Sequence, residues 1–204
     1  MKRARTLACV LSAAGLALAG IARAEETKKP VPPKKAEAPK AAEAMPAPPK
    51  PGPEHEHLKK SVGVWDATVE MAEAPGKPPA VSKGTETNAL LGGGLWLVTD
   101  FKSEMMGQPF EGHGVAGYDP AKKKYVGTWV DSWTTTLGIS EGTFDPATKK
   151  ETAVMEAPDQ TGKMITMKME TEWKDDDTRV FTMWSPGPDG KDFAGLKITY
   201  KRRK

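Results

Sequence analysis

The chain has 204 residues, 38% of them hydrophobic and 28% charged, which fits one globular domain with a tail and excludes a polytopic helical membrane protein. Its 30 Lys and Arg outnumber 27 Asp and Glu by +3, but Lys2, Arg3, Arg5 and Arg23 all precede the first acid, Glu25. Without those four, 26 cations face 27 acids, and the balance of −1 removes the charge argument for nucleic-acid binding.

Residues 1–24 have a basic start, an apolar run from Thr6 to Ile21, and small residues at Ala22 and Ala24. This is the layout of a secretory signal peptide cleaved after Ala24. The run is too short and too rich in Ala and Gly for a spanning helix, so the mature chain is expected in the periplasm or secreted, with no integral membrane span. The single cysteine, Cys9, lies in the removed segment. The mature chain therefore has no disulfide, thiol chemistry or thiolate metal site.

Residues 25–52 are built from Ala, Pro, Lys and Glu, with Pro at 30, 32, 33, 39, 46, 48, 49 and 51. Such a stretch cannot bury enough apolar surface to offset its ordering entropy, and repeated proline favours polyproline II. We expect a disordered linker, either a solvated leader or a contact for an envelope protein.

Residues 53–204 hold every aromatic side chain of the chain and are expected to form one domain. Residues 53–62 read as a short helix with Pro and acids first and Lys last, its two histidines at a solvated start. From Gly63 the period becomes two: Trp65, Ala67, Val69 and Met71 alternate with Val64, Asp66, Thr68 and Glu70. Strands are expected near 63–72, 83–91, 95–105, 110–118, 124–134, 137–144, 151–157, 163–174, 178–185 and 192–201. Between them lie turn signals such as Gly92-Gly93-Gly94, Gly107-Gln108-Pro109, Asp119-Pro120 and Asp145-Pro146. Tyr118-Asp119-Pro120-Ala121 is echoed by Phe144-Asp145-Pro146-Ala147, marking two similar hairpins. About ten short strands with tight connections and no long intervening helix specify an all-β fold: an antiparallel up-and-down β-barrel that closes to hide its edges. The terminal Lys201-Arg202-Arg203-Lys204 reads as a solvated end.

Gly63-Val64-Trp65 after a short helix is the Gly-x-Trp opening of lipocalin-like barrels, where a late basic residue packs over the Trp; Lys201 or Arg202 would do so here. Further motifs are Met105-Met106-Gly107-Gln108-Pro109-Phe110-Glu111-Gly112, Gly117-Tyr118-Asp119, Gly127-Thr128-Trp129 and Ser140-Glu141-Gly142-Thr143-Phe144-Asp145. With these, residues 52–201 resemble a bacterial family known as domain of unknown function 1579. The resemblance implies a calycin-like barrel and carries over no activity, catalytic residue or cofactor.

The strand at 124–134 places Tyr125, Gly127, Trp129, Asp131 and Trp133 on one face, a carboxylate within an aromatic wall. Turned inward, Asp131 is a polar anchor in an apolar cavity; turned to the rim, it caps a nearby turn. Met167 and Met169 share a face with Ile165 and Trp173. With Trp184 these give the candidate lining: Trp129, Asp131, Trp133, Met167, Met169 and Trp184. The expected function is non-covalent binding of a small, mostly apolar molecule. Its rival is a filled barrel that serves as an envelope interaction module. Weaker readings are an enzyme pairing Asp131 with His113, haem on a lumen His113, and copper on the methionine strand. The hydrolase motifs Gly-x-Ser-x-Gly and His-Glu-x-x-His do not occur, and no catalytic residue, metal ligand or cofactor is assigned.

Overall fold

The computed structural model describes residues 47–158, 162–187 and 190–204. The expected signal peptide and residues 25–46 of the expected linker lie outside the described residues. One helix, α1 (His55–Lys60), precedes ten strands: β1 (Gly63–Met71), β2 (Ala80–Leu91), β3 (Trp96–Met105), β4 (Gln108–Asp119), β5 (Lys124–Asp131), β6 (Gly138–Asp145), β7 (Lys150–Pro158), β8 (Met164–Trp173), β9 (Thr178–Pro186) and β10 (Asp192–Arg202). Each strand pairs antiparallel with the next, and β1 pairs with β10, so the sheet closes into an up-and-down barrel. Among the described residues no helix is long and apolar enough to cross a membrane.

The strands fall where the alternation of the sequence puts them, and the differences have local causes. β5 stops at Asp131 instead of 134 because Asp131 Oδ1 accepts the backbone N–H groups of Trp133 and Thr134, both at 2.9 Å, and turns the chain. β4 begins at Gln108, since Met106 (φ 52°) and Gly107 (φ 75°) close a two-residue hairpin of the primed type that matches strand twist. The echoed Asp-Pro segments form matching turns. Asp119 Oδ1 accepts from Ala121 N at 2.9 Å, and Asp145 Oδ1 accepts from Ala147 N at 2.9 Å.

Strand parity sorts the side chains. On β7, Glu151, Ala153 and Met155 face inward, half-buried, while Thr152, Val154 and Glu156 face solvent. The densest packing joins Trp65, Ala67, Val69, Phe101, Met105, Phe110, Trp173, Ile198 and Tyr200. Two wide aromatic rings lie over glycines on a neighbouring strand. A Cβ on Gly112 would stand 2.1 Å from Trp129, and one on Gly117 would stand 2.3 Å from Trp96. Only a residue without a side chain lets the ring lie flat on the strand at these points.

One end of the barrel is closed by α1. Trp65 Nε1 and Asn88 Nδ2 both donate to Ser61 O, at 2.8 and 3.0 Å. The Arg202 guanidinium lies 4.1 Å from the Trp65 ring centroid and donates to Val62 O at 2.5 Å and Lys60 O at 2.7 Å. The basic C-terminus is thus not wholly a solvated end. Arg202 locks the helix exit, and Arg203 pairs with Asp66, because β10 runs the chain end alongside the start of β1. His55 and His57, expected at a solvated helix start, are buried: α1 lies across the barrel end with that face down.

Candidate functional site

The interior divides into two parts of different chemistry. At the end closed by α1 many inward side chains are buried, and several of their polar groups are paired. Arg179 forms an ion pair with Glu86 and lies over the rings of Tyr200 at 4.2 Å and Trp65 at 4.8 Å. Asn88 Nδ2 donates to Glu86 at 2.5 Å, and Thr99 Oγ1 donates to Asn88 at 2.6 Å. The His57 ring stacks on Phe144 with centroids 3.7 Å apart, and its Nε2 meets Glu151 at 3.0 Å. Among the described residues His57 Nδ1, Trp173 Nε1 and Arg179 Nε are buried without a hydrogen-bond partner. Burial raises the Tyr125 phenol beneath α1 to about 12, with the Glu151 and Glu54 carboxylates adding to the shift.

Toward the other end the inward side chains change. Met155 on β7, Met167 and Met169 on β8, and Met183 on β9 all face the lumen and are half-buried. Met155 stands directly opposite Met167, and Met169 directly opposite Met183. Leu196 on β10, opposite Met183, and Met71 on β1 extend this apolar wall. Trp129 lies on β5 over Gly112 and Gly114 of β4. These side chains point inward by parity and yet keep contact with solvent, whereas Trp65, Val69 and Phe101 of β1 and β3 do not. The inward side chains are therefore buried along β1 and β3 and only half-buried along β7, β8 and β9.

The six residues singled out in the sequence are distributed over this frame. Trp129, Met167 and Met169 face the lumen. Asp131 sits at the end of β5, where its Oδ2 accepts the Trp129 indole N–H at 3.1 Å while Oδ1 caps the following turn. It is the rim aspartate of the turn reading and also fixes the Trp129 ring. Trp133 lies beyond the end of β5, 44% exposed, edge-on to Phe110 with centroids 5.3 Å apart. Trp184 belongs to the opposite face, in register with Lys168 and Ala194. Lys168 points to solvent, where it pairs with Asp192 at 2.6 Å. The sequence placed Trp184 with the lining because a half-buried Trp on an amphipathic strand suits either face.

His113 is also on the outside. Its ring nitrogen meets Asp100 at 2.8 Å with the side chain 48% exposed. It stands opposite Val130, while Asp131 stands opposite Gly112. His113 and Asp131 therefore lie on opposite faces of the sheet, so neither the paired enzyme site nor a lumen haem ligand at His113 is built. Among the described residues no group of three His, Cys, Asp or Glu side chains is arranged to hold a metal ion. Sequence reasoning missed Met155, Met183 and Leu196, which join the wall only through strand register. It also missed the buried Arg179–Glu86 pair and the part-buried His57–Glu151 pair, whose partners are 93 and 94 residues apart.

These features define a closed ten-stranded antiparallel barrel with a short helix across one end. The chain belongs to the family described as "Protein of unknown function (DUF1579)", whose model matches residues 50–202. No curated protein matches it. Among solved structures, Rv2717c from M. tuberculosis is similar at TM-score 0.57 and 12% identity, covering 75% of this chain and 99% of that one. The S-type phycobiliprotein lyase CPES from Guillardia theta is similar at TM-score 0.49 and 12% identity, covering 76% and 99%. At such identities the first likeness speaks to the fold alone, and the second carries no argument about this chain.

Proposed function

We propose that this is an exported binding protein that holds a small, mostly apolar molecule non-covalently in the half-buried part of its barrel. The observation that carries the reading is the contrast across one lumen: buried side chains on β1, β3 and β4, such as Val69, Phe101, Met105 and Phe110, and a half-buried wall of Met155, Met167, Met169, Met183 and Leu196. Methionine suits such a wall because its three rotatable bonds let it repack around ligands of different outline. Trp129, its indole held by Asp131, forms a flat aromatic surface. Trp133 stands at the rim. Export rests on the basic, apolar and small-residue layout of residues 1–24. An envelope protein meeting the Pro-rich segment is compatible with this role and independent of the lumen.

Titration with the neutral fluorophore N-phenyl-1-naphthylamine tests the reading. The expected result is a saturable rise in emission at one probe per chain. Met169→Lys weakens it by about tenfold or more, since a charge enters an apolar wall. Met169→Leu, which keeps volume and polarity, and Trp184→Phe, on the outer face, leave the affinity within about twofold. Unsaturable emission, or equal affinity in Met169→Lys and the parent, means a filled barrel and overturns the proposal.

A further inference from the structure

The outward face of the barrel is not uniform. Along most of β1, β2, β8 and β10 it carries charged and hydroxyl side chains, among them Asp66, Lys83, Lys168 and Lys197. On β3 to β6 it turns apolar. Register places Trp96 of β3 between Leu91 of β2 and Gly117 of β4, and Gly117 opposite Val126 of β5. Two residues along each strand, Val98, Val115, Thr128 and Ile139 form the next row. Val130 stands opposite the outward His113 in the row after that. Leu91 and Ile139 are 57% and 56% exposed, and Val130 and Trp96 are 44% and 40% exposed. Val154 of β7, beside Glu141, extends the patch. We propose that this face is the contact surface of a homodimer, in which β3 to β6 of one copy pack on the same strands of a second copy about a two-fold axis.

An antiparallel sheet with one buried face ordinarily turns polar side chains to water on the other. Here two adjacent rows break that alternation, and they add nothing to the barrel's own core, because they point away from it. The exposed parts of Leu91, Trp96, Val130, Ile139 and Val154, with the half-buried Val98, Val115 and Val126, amount to on the order of 500 Å², the upper end of what a monomer leaves open. With its polar border the face approaches the about 800 Å² per partner that a stable pair requires. Trp96, laid flat over Gly117, supplies the kind of aromatic plate that dominates such contacts. Charge selects a like copy. Asp100 pairs with His113 at 2.8 Å, Glu111 with Lys102 at 3.0 Å, and Glu141 with Lys122 and Lys124. Three acids and three lysines thus balance around the apolar rows within one chain. Glu156, opposite Ile139, adds a further acid at the β7 border. Such a border has no positive field to draw an anionic lipid surface and no strong field of one sign to repel a second copy. The face lies outside the lumen, so this inference does not rest on the apolar-ligand reading.

The experiment is sedimentation velocity of the full chain over a concentration series. The expected result is a monomer–dimer equilibrium with a dissociation constant in the micromolar range. Val130→Lys/Ile139→Lys sets like charges against each other in the apolar rows and weakens the dimer by about tenfold or more. Thr199→Lys, on the outward face of β10, leaves the constant within about twofold. Melting followed by circular dichroism shows that each variant is folded. Should the double lysine variant unfold, Val130→Thr/Ile139→Thr, which keeps β-branched side chains on the strands, takes its place with the same direction of change. A monomer at every concentration, or equal association of the parent and the double variant, overturns the dimer. Flotation with phosphatidylcholine vesicles is run on the same samples. A monomeric parent that floats with the vesicles while Val130→Lys/Ile139→Lys does not assigns the face to a lipid surface and likewise overturns the proposal.

Discussion

Gly112 shows how one residue can decide the shape of the wall. The Trp129 ring occupies the space a side chain there would need, so Gly112→Ala must displace the ring or bend β4. The expected cost is about 1–3 kcal/mol of overpacking, read by urea unfolding, together with a changed Trp emission spectrum. Arg179 makes a different kind of prediction. Its guanidinium is buried against Glu86, and removing one partner of such a pair strands the other. Arg179→Met is expected to cost about 3–5 kcal/mol, while Arg179→Met/Glu86→Gln recovers a large part of that loss; a double-mutant unfolding cycle measures both. Burial lifts the Tyr125 phenol from 10.0 to about 12. It lifts Tyr200 well above its ordinary value as well, with the Glu86 carboxylate adding and Arg179 opposing. A phenol that holds its proton more tightly when folded contributes stability that is whole below pH 10 and is lost as pH rises through the folded value. Melting temperature is therefore expected to fall from about pH 10 upward, and Tyr125→Phe to make that fall shallower.

At the scale of elements, α1 is a short helix whose place is set by its exit rather than by its own propensity. Six residues cannot hold a helix alone in water. Arg202 binds two carbonyls at the helix exit and stacks on Trp65. Arg202→Ala is expected to cost about 1.5–3 kcal/mol and to raise amide exchange in residues 55–62 before it raises exchange in the strands. The sequence made the strands legible because alternation of apolar and polar residues repeats the physical period of the sheet. Even the Arg over Trp65 follows from closing β10 on β1. Side chains whose roles depend on register were not legible in the same way. His57 looks like a solvated helix start until Phe144 and Glu151, far along the chain, arrive beneath it. Asp131 reads equally well as an anchor and as a turn cap, and the backbone N–H groups two and three residues later decide the matter. Trp184 reads as lining until its parity with the exposed Lys168 is fixed.

The whole molecule is a closed surface with unequal ends. Closure satisfies every strand edge, so β1 needs no covering element and pairs with β10 instead. One end is stabilised by α1, aromatic stacking and a buried ion pair, and the inward side chains of β7, β8 and β9 away from it are less completely buried than those of β1 and β3. The methionines of the lumen wall report directly on that difference. The chain has ten methionines, and labelling their methyl groups with carbon-13 gives each a resolved reporter. The decisive measurement is the methyl spectrum of the folded chain titrated with N-phenyl-1-naphthylamine. The account predicts that Met155, Met167, Met169 and Met183 shift together and saturate at one probe per chain, while the exposed Met106 and Met164 stay in place. Shifts confined to Met106 and Met164, or no saturable shift at any of the four lumen methionines, would contradict it.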